Sequence, residues 1–212
     1  MRIILLSDRM IGGNSAYTKV AYEIGTRLPK FGHHIAHIPM GMANRMGIQQ
    51  FANGVTILSS GNQPFGDEPK TIEDYKDFKA DILITLKEPW VFGYLPYQAI
   101  NFVPIVPIDH SPVSGSITGR LNTAFKVIAI SRHGQRELRQ NNIPSTYIPH
   151  GCDTSKYVPL LDHKEDCKKL WYGKYAETAD FIIGIVARNQ ARKMIPRCLL
   201  YTSPSPRDRT RS

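Results

Sequence analysis

Residues 2–28 read RIILLSDRMIGGNSAYTKVAYEIGTRL. RIILLS (2–7) is a continuous apolar run, as a strand covered on both faces requires. IGGNS then breaks the run, and Tyr17, Val20, Ala21, Ile24 and Leu28 recur at helical spacing with Asn14 or Ser15 available as N-cap. Strand, glycine turn and amphipathic helix in that order begin a parallel α/β sheet. Gly32 closes the unit before a second strand, HIAHIPM (34–40).

The alternation continues outward from there. VTILSS (55–60), ADILITL (80–86), FVPIVPID (102–109) and KVIAIS (126–131) read as further strands. TIEDYKDFK and RHGQRELRQN read as helices, and TYIPHG (146–151) as a short extended piece that turns. The prolines of 102–109 predict a sheet edge, or a strand bounded by them. A charged segment, 158–180, predicts a short surface helix, and FIIGIVA (181–187) a buried strand opening a second unit. The expected fold class is a Rossmann-like parallel sheet with helices on both faces, its crossovers right-handed. Ligands of such sheets bind beyond the carboxyl ends of the strands, which directs attention to IGGNS, KEPW, DHSPV, SRHG and PHGCD.

Composition narrows the class. Hydrophobic residues make up 42% and charged residues 21%, the proportions of a globular chain, and no apolar run is long enough to cross a bilayer. The amino terminus lacks a small-residue cleavage site and reads as a strand. Cys152, Cys167 and Cys198 have neither metal spacing nor even pairing, which suits a reducing cytoplasm and predicts no metal site. The net charge is +9, of which residues 198–212 carry +2, leaving +7 for the rest. That balance favours anionic partners and permits contact with an anionic membrane face. No aromatic-interleaved basic stretch or finger spacing points to nucleic acid.

Several residues at strand ends bear chemistry. Gly12 and Gly13 let backbone N–H groups approach an anion at a helix amino terminus, or simply make a tight turn; the G-x-G-x-x-G spacing is absent. His110, after a strand and before Ser-Pro, is placed to bond a sugar hydroxyl or carry a proton, or to cap its loop; Asp109 either orients it or faces the ligand itself. In PHGCDTSKYVP (149–159), His150 and Gly151 turn the chain, Asp153 braces the loop through backbone hydrogen bonds, and Tyr157 with Pro159 anchors its exit, as a linker between domains. Arg188 and Lys193 combine a forked donor with a mobile point charge, suited to a diphosphate or to plain solvation.

The order of these pieces resembles the family 4 glycosyltransferases of GT-B fold over residues 1–197. The resemblance rests on the Gly-Gly loop, KVIAISRHGQREL (126–138), YIPHGCDTSKYVP (147–159) and FIIGIVARNQARK (181–193). It implies an amino-terminal acceptor domain (1–157), a linker (158–180) and the start of a donor domain (181–197). It further implies transfer of a sugar from a nucleotide-diphosphate-sugar to an unspecified acceptor, with retention of configuration and no bound cofactor or metal. By that likeness Gly12, Gly13, Arg188 and Lys193 hold the donor diphosphate, and His110 contacts the donor sugar. Ala187 stands where the family often has Gly. The family's pair of glutamates seven residues apart is not found after Lys193, and CLLYTSPSPRDRTRS (198–212) resembles translated adapter sequence. The expectation is therefore a non-native tail and a chain inactive by itself. A sugar-nucleotide epimerase of similar architecture and a non-catalytic basic binding domain are the alternatives.

Overall fold

The computed structural model describes residues 1–9, 13, 15–40, 49–51, 54–59, 61, 63, 65–159, 163–178, 184–187 and 190–202. The chain divides into two compact units, 1–152 and 153–212.

Unit one is built on an eight-stranded sheet. Its strands are β1 (Arg2–Asp8), β2 (His34–Met40), β3 (Gln49–Phe51), β4 (Val55–Ile57), β5 (Ile82–Leu86), β6 (Phe102–Val106), β7 (Val127–Ala129) and β8 (Ser145–Tyr147). Their spatial order is β3-β4-β2-β1-β5-β6-β7-β8. All neighbours pair parallel except β3, which runs antiparallel to β4. The sheet is the Rossmann-like α/β arrangement that the alternating pattern predicts. The antiparallel edge strand was not legible in QQF.

Period-two alternation explains why β1 is apolar throughout. Ile3 and Leu5 enter one core with Ala21, Ile35, Ile84 and Val103, against which Tyr17, Val20, Ile24 and Leu28 pack from the helical side. Ile4 and Leu6 enter the opposite core with Ile38, Leu83, Phe92, Leu95 and Phe102, covered by Tyr75 and Phe78. A third cluster, with Ile108, Ile117, Leu121, Val127 and Leu138, fills the β7 end. Burying a Leu or Ile completely is worth about 1.5–3 kcal/mol each, so these three clusters dominate the stability of the unit.

The helices start where capping residues allow. Helix α1 (Ala16–Arg27) is capped by Ser15, whose hydroxyl accepts the Thr18 N–H at 3.0 Å, and it ends against Leu28-Pro29. Helix α2 (Glu68–Asp77) begins at Asp67, which accepts the Lys70 N–H at 3.1 Å. The Glu68 carboxylate reaches outward to accept three backbone N–H groups, from Gly93, Tyr94 and Leu95, at 3.0, 2.9 and 2.7 Å. Helix α3 (Gly115–Leu121) was not anticipated, because GSITGRL carries two glycines and little period. Helix α4 (Arg132–Gln140) is capped by Ser131. Its Gly134 lies so close to the chain after β6 that an added Cβ would press on Ile108.

The prolines correct one expectation. Pro104 sits in β6, an interior strand, not at a sheet edge. β7 pairs with β6 only at Ile105 and Val106, so the second ladder begins just after the proline. Pro39 uses the same device in β2, where the ladder to β4 ends at His37. Each proline keeps one paired neighbour and is spared the other, which is what the missing N–H demands.

Unit two, taken by itself, carries α5 (Lys164–Tyr172), α6 (Tyr175–Thr178), a single 3-10 turn (Ala191–Lys193) and α7 (Ile195–Thr202). Helix α5 lies in the segment where a surface helix is predicted. The expected strand 181–187 is corrected over its described end: residues 184–187 belong to no strand, and Val186 is fully exposed. Residues 181–183 lie outside the described set. Helix α7 runs on through CLLYT, so the first five residues of the tail 198–212 are helical. Among the described residues, no helix is long and apolar enough to cross a membrane.

Candidate functional site

Strand order reverses between β1 and β5: β2 and β4 lie to one side of β1, while β5, β6 and β7 lie to the other. Open α/β sheets form their ligand crevice at such a switch point, beyond the carboxyl ends of the two strands. Asp8 ends β1 and Lys87 follows β5. Lys87 Nζ meets Asp8 Oδ1 at 2.9 Å, so an ion pair spans the switch point. Both side chains are about one-fifth exposed (17% and 22%), enough burial for the charges to need one another.

The other Asp8 oxygen accepts the Ser15 hydroxyl at 2.6 Å, tying the α1 cap to β1. Two residues on, the Tyr17 hydroxyl donates to Glu88 Oε1 at 2.9 Å, and the Lys87 ammonium stands 5.0 Å from the Tyr17 ring centre. Burial raises the Tyr17 pKa, and the carboxylates of Glu88, Asp8 and Asp109 push it further in the same direction. Tyr17 is therefore a neutral donor at any physiological pH, and the three acids converge on it from β1, β5 and the end of the β6 segment.

Beneath this layer lies a buried histidine. The Ser7 hydroxyl is 3.1 Å from His37 Nε2 and directs its own proton to the Asp8 carbonyl at 3.1 Å, so Nε2–H is the donor to Ser7. His37 Nδ1 is buried without a hydrogen-bond partner among the described residues. Burial lowers the His37 pKa to about 4, only partly countered by its hydrogen bond with the Asp8 backbone.

The residues expected at the site fare differently. Gly13 lies in the β1–α1 turn, where an added Cβ would run into Thr18 Oγ1 and close on the Arg9 carbonyl, so a side chain there would force Thr18 to shift. His110 follows β6 as an exposed side chain whose Nδ1 is 3.1 Å from Asp109 Oδ1. His150 and Gly151 end unit one and are exposed. Asp153 opens unit two: its carboxylate accepts the Ser155 N–H and hydroxyl at 3.1 and 2.6 Å, and its carbonyl accepts from Lys156 and Tyr157. Tyr157 itself is exposed. Lys193 ends the 3-10 turn of unit two and is exposed. Gly12 and Arg188 lie outside the described residues. Among the described residues, no group of three His, Cys, Asp or Glu side chains is arranged to hold a metal ion.

Sequence reading missed Asp8, Tyr17, Lys87 and Glu88. KEPW was marked only as a segment following a strand, and the partner of Lys87 is 79 residues away. Replacing Asp8 with alanine leaves the largely buried Lys87 ammonium without its ion-pair partner and should cost about 2 kcal/mol of stability. Adding Lys87→Met should recover part of that loss. Urea unfolding of both single variants and the double variant measures the coupling, and strictly additive losses would show that the pair contributes nothing.

No protein-family model and no curated protein matches the chain. Among solved structures it is similar to sucrose-phosphate synthase from Thermosynechococcus elongatus, at 14% identity over 78% of this chain, with a TM-score of 0.54. The E. coli trehalose-6-phosphate protein bound with UDP-2-fluoro glucose aligns at 10% identity over 80% of this chain and 54% of its own, with a TM-score of 0.48. The chain spans about half (52%) of the length of the sucrose-phosphate synthase structure. At such identity the likeness is one of fold: the sheet of unit one has the Rossmann-like arrangement of one half of a GT-B architecture.

Proposed function

We propose that the protein carrying this chain is a glycosyltransferase that moves a sugar from a nucleotide-diphosphate-sugar donor to an acceptor, with retention of configuration. The observation that supports this most is the Asp8–Lys87 pair across the β1/β5 switch point, with a tight glycine turn following β1. Around it stand hydroxyl and carboxylate groups of Ser15, Tyr17, Glu88 and Asp109, the polar lining that a sugar-bearing ligand needs. The fold likeness to sucrose-phosphate synthase is consistent with the same class.

In this reading Gly12 and Gly13 admit the donor diphosphate to the amino terminus of α1, and Arg188 and Lys193 neutralise it. His110 contacts the donor sugar, and unit one receives the acceptor. During transfer the bond between the anomeric carbon and the diphosphate oxygen breaks. The acceptor oxygen bonds to that carbon on the same face, and its proton leaves with the diphosphate. Fixed cations and helix N–H groups stabilise the charge growing on the leaving group. Family 4 membership is part of this proposal.

The test is calorimetric titration of UDP, GDP and their glucose and mannose derivatives into the full-length protein. One nucleotide should bind in preference, and Arg188→Ala and Lys193→Ala should each weaken it at least tenfold and lower turnover in step. Binding indifferent to the base, steeply weakened by salt and matched by unrelated polyanions would instead favour a non-catalytic basic domain.

A further inference from the structure

Away from the β1/β5 crevice, the far edge of the sheet carries a second concave surface. A cavity of about 680 Å³ lies between α4 and the chain entering β8. Its size is within the range of roughly 300–1,000 Å³ typical of small-molecule sites. Arg132, Arg136 and Arg139 line it from α4, with Gln135 between them, and Asn142 and Ser145 line it from the following loop and strand.

Three arginines at these spacings share one helix face. All three are exposed, and no ion pair with a carboxylate is seen for any of them among the described residues. Arg132 stacks on the Tyr147 ring at 4.1 Å, which holds its guanidinium at the mouth of the groove. The one acid of α4, Glu137, is turned inward and is 5% exposed. The lining thus has three cations and no anion. Like charges three and four residues apart cost a helix a few tenths of a kcal/mol each, a cost that an anion in the groove reverses.

The opposite wall adds hydrogen-bonding capacity. Ser145 lines the groove, and its buried Oγ has no hydrogen-bond partner among the described residues. Gln135 Nε2 donates to the Ser145 carbonyl at 3.2 Å, which fixes that wall relative to the helix. Forked guanidinium donors with a hydroxyl beside them match the oxygens of a phosphoryl group, which accept several charge-assisted hydrogen bonds at once.

We propose that this groove is a binding site for a small phosphorylated molecule, held by Arg136 and Arg139 against Ser145, with Arg132 at its mouth. A concave cavity of this volume suits a free ligand carrying one or two phosphoryl groups. The same chemistry on a lipid headgroup is the other source, and the test separates the two.

Inorganic pyrophosphate is titrated calorimetrically into Lys193→Ala, in which the proposed donor-diphosphate contact is removed, and into the same chain carrying Arg136→Gln/Arg139→Gln. Both α4 positions are exposed, so the added substitutions should leave the unfolding midpoint in place, which is measured alongside. The expected result is saturable binding in Lys193→Ala that the two α4 substitutions weaken at least tenfold. A conservative Arg136→Lys/Arg139→Lys pair in the same background should retain only part of the affinity, because lysine keeps the charge but loses the fork. Absence of pyrophosphate binding in Lys193→Ala, or binding that the α4 substitutions do not change, overturns the proposal. Sedimentation with phosphatidylcholine vesicles containing phosphatidic acid forms the second arm. Vesicle binding that depends on the two arginines, without pyrophosphate binding, overturns the small-ligand site in favour of a membrane contact. Pyrophosphate binding without vesicle binding supports it.

Discussion

Replacing Phe102 with alanine is expected to lower the unfolding free energy by about 3–5 kcal/mol, the largest single loss in unit one. Phe102 is 1% exposed on an interior strand, and its ring meets Phe92 edge-on, with centroids 6.4 Å apart and planes at 79°. Truncation removes that aromatic contact, strips the apolar area the ring buries and leaves a cavity walled by Leu83, Leu95 and Ile4. The backbone at Phe102 is held by the ladder to β5 and by the Phe125 N–H on its carbonyl, so it cannot collapse to fill the space. Urea unfolding followed by circular dichroism measures the effect as a lower midpoint with an unchanged slope. A loss below about 1 kcal/mol would mean that this face of the sheet is not packed as described.

The second large effect is a pH dependence that originates in His37. Its pKa is lowered from 6.5 to about 4 by burial. Between those values the unfolded chain binds the proton and the folded chain does not. Stability from this group is therefore complete above about pH 6.5, falls as the pH drops and levels off below about 4, with a slope of at most about 1.4 kcal/mol per pH unit. Across the whole window the loss amounts to roughly 3 kcal/mol. His37→Gln removes the titration while keeping a donor near Ser7. The difference in stability between wild type and His37→Gln should shrink by that amount, and change sign if it starts smaller, as the buffer is taken from pH 7 to pH 4. A difference that does not vary with pH would show that His37 titrates alike in both states.

How far the sequence carried the fold depends on what each element needed. β1, β5 and β7 are almost wholly apolar and β2 is apolar apart from its histidines, because both faces are buried, and such runs can be read without knowing the neighbours. α1 was readable to within one residue of its cap, since Asn14, Ser15 and the spacing of Tyr17, Val20 and Ile24 are local features. β3 and α3 were not, because QQF becomes a strand only by pairing with β4, and GSITGRL becomes a helix only by burying Ile117 and Leu121 in the third cluster. The edge rule for proline misled for the same reason: whether a missing N–H matters depends on which neighbour is paired at that residue. The site divides along the same line. Gly13 announces itself as a glycine in a turn, whereas Asp8 and Lys87 are unremarkable until the β1–β5 pairing sets them 2.9 Å apart.

The grip of the Glu68 carboxylate on residues 93–95 has a consequence for anyone redesigning this scaffold. The loop after β5 does not own its shape; a side chain some 25 residues upstream dictates it. Grafting the 87–98 segment onto a homologous framework, or randomising it in a library, would leave three amides without their acceptor unless position 68 travelled with it. Conversely, a frame shift of one residue in the turn before α2 would drag that carboxylate away and misdirect a loop that lies elsewhere in the chain. The two segments form one inheritable module, and a recombination breakpoint placed between them separates a lock from its bolt.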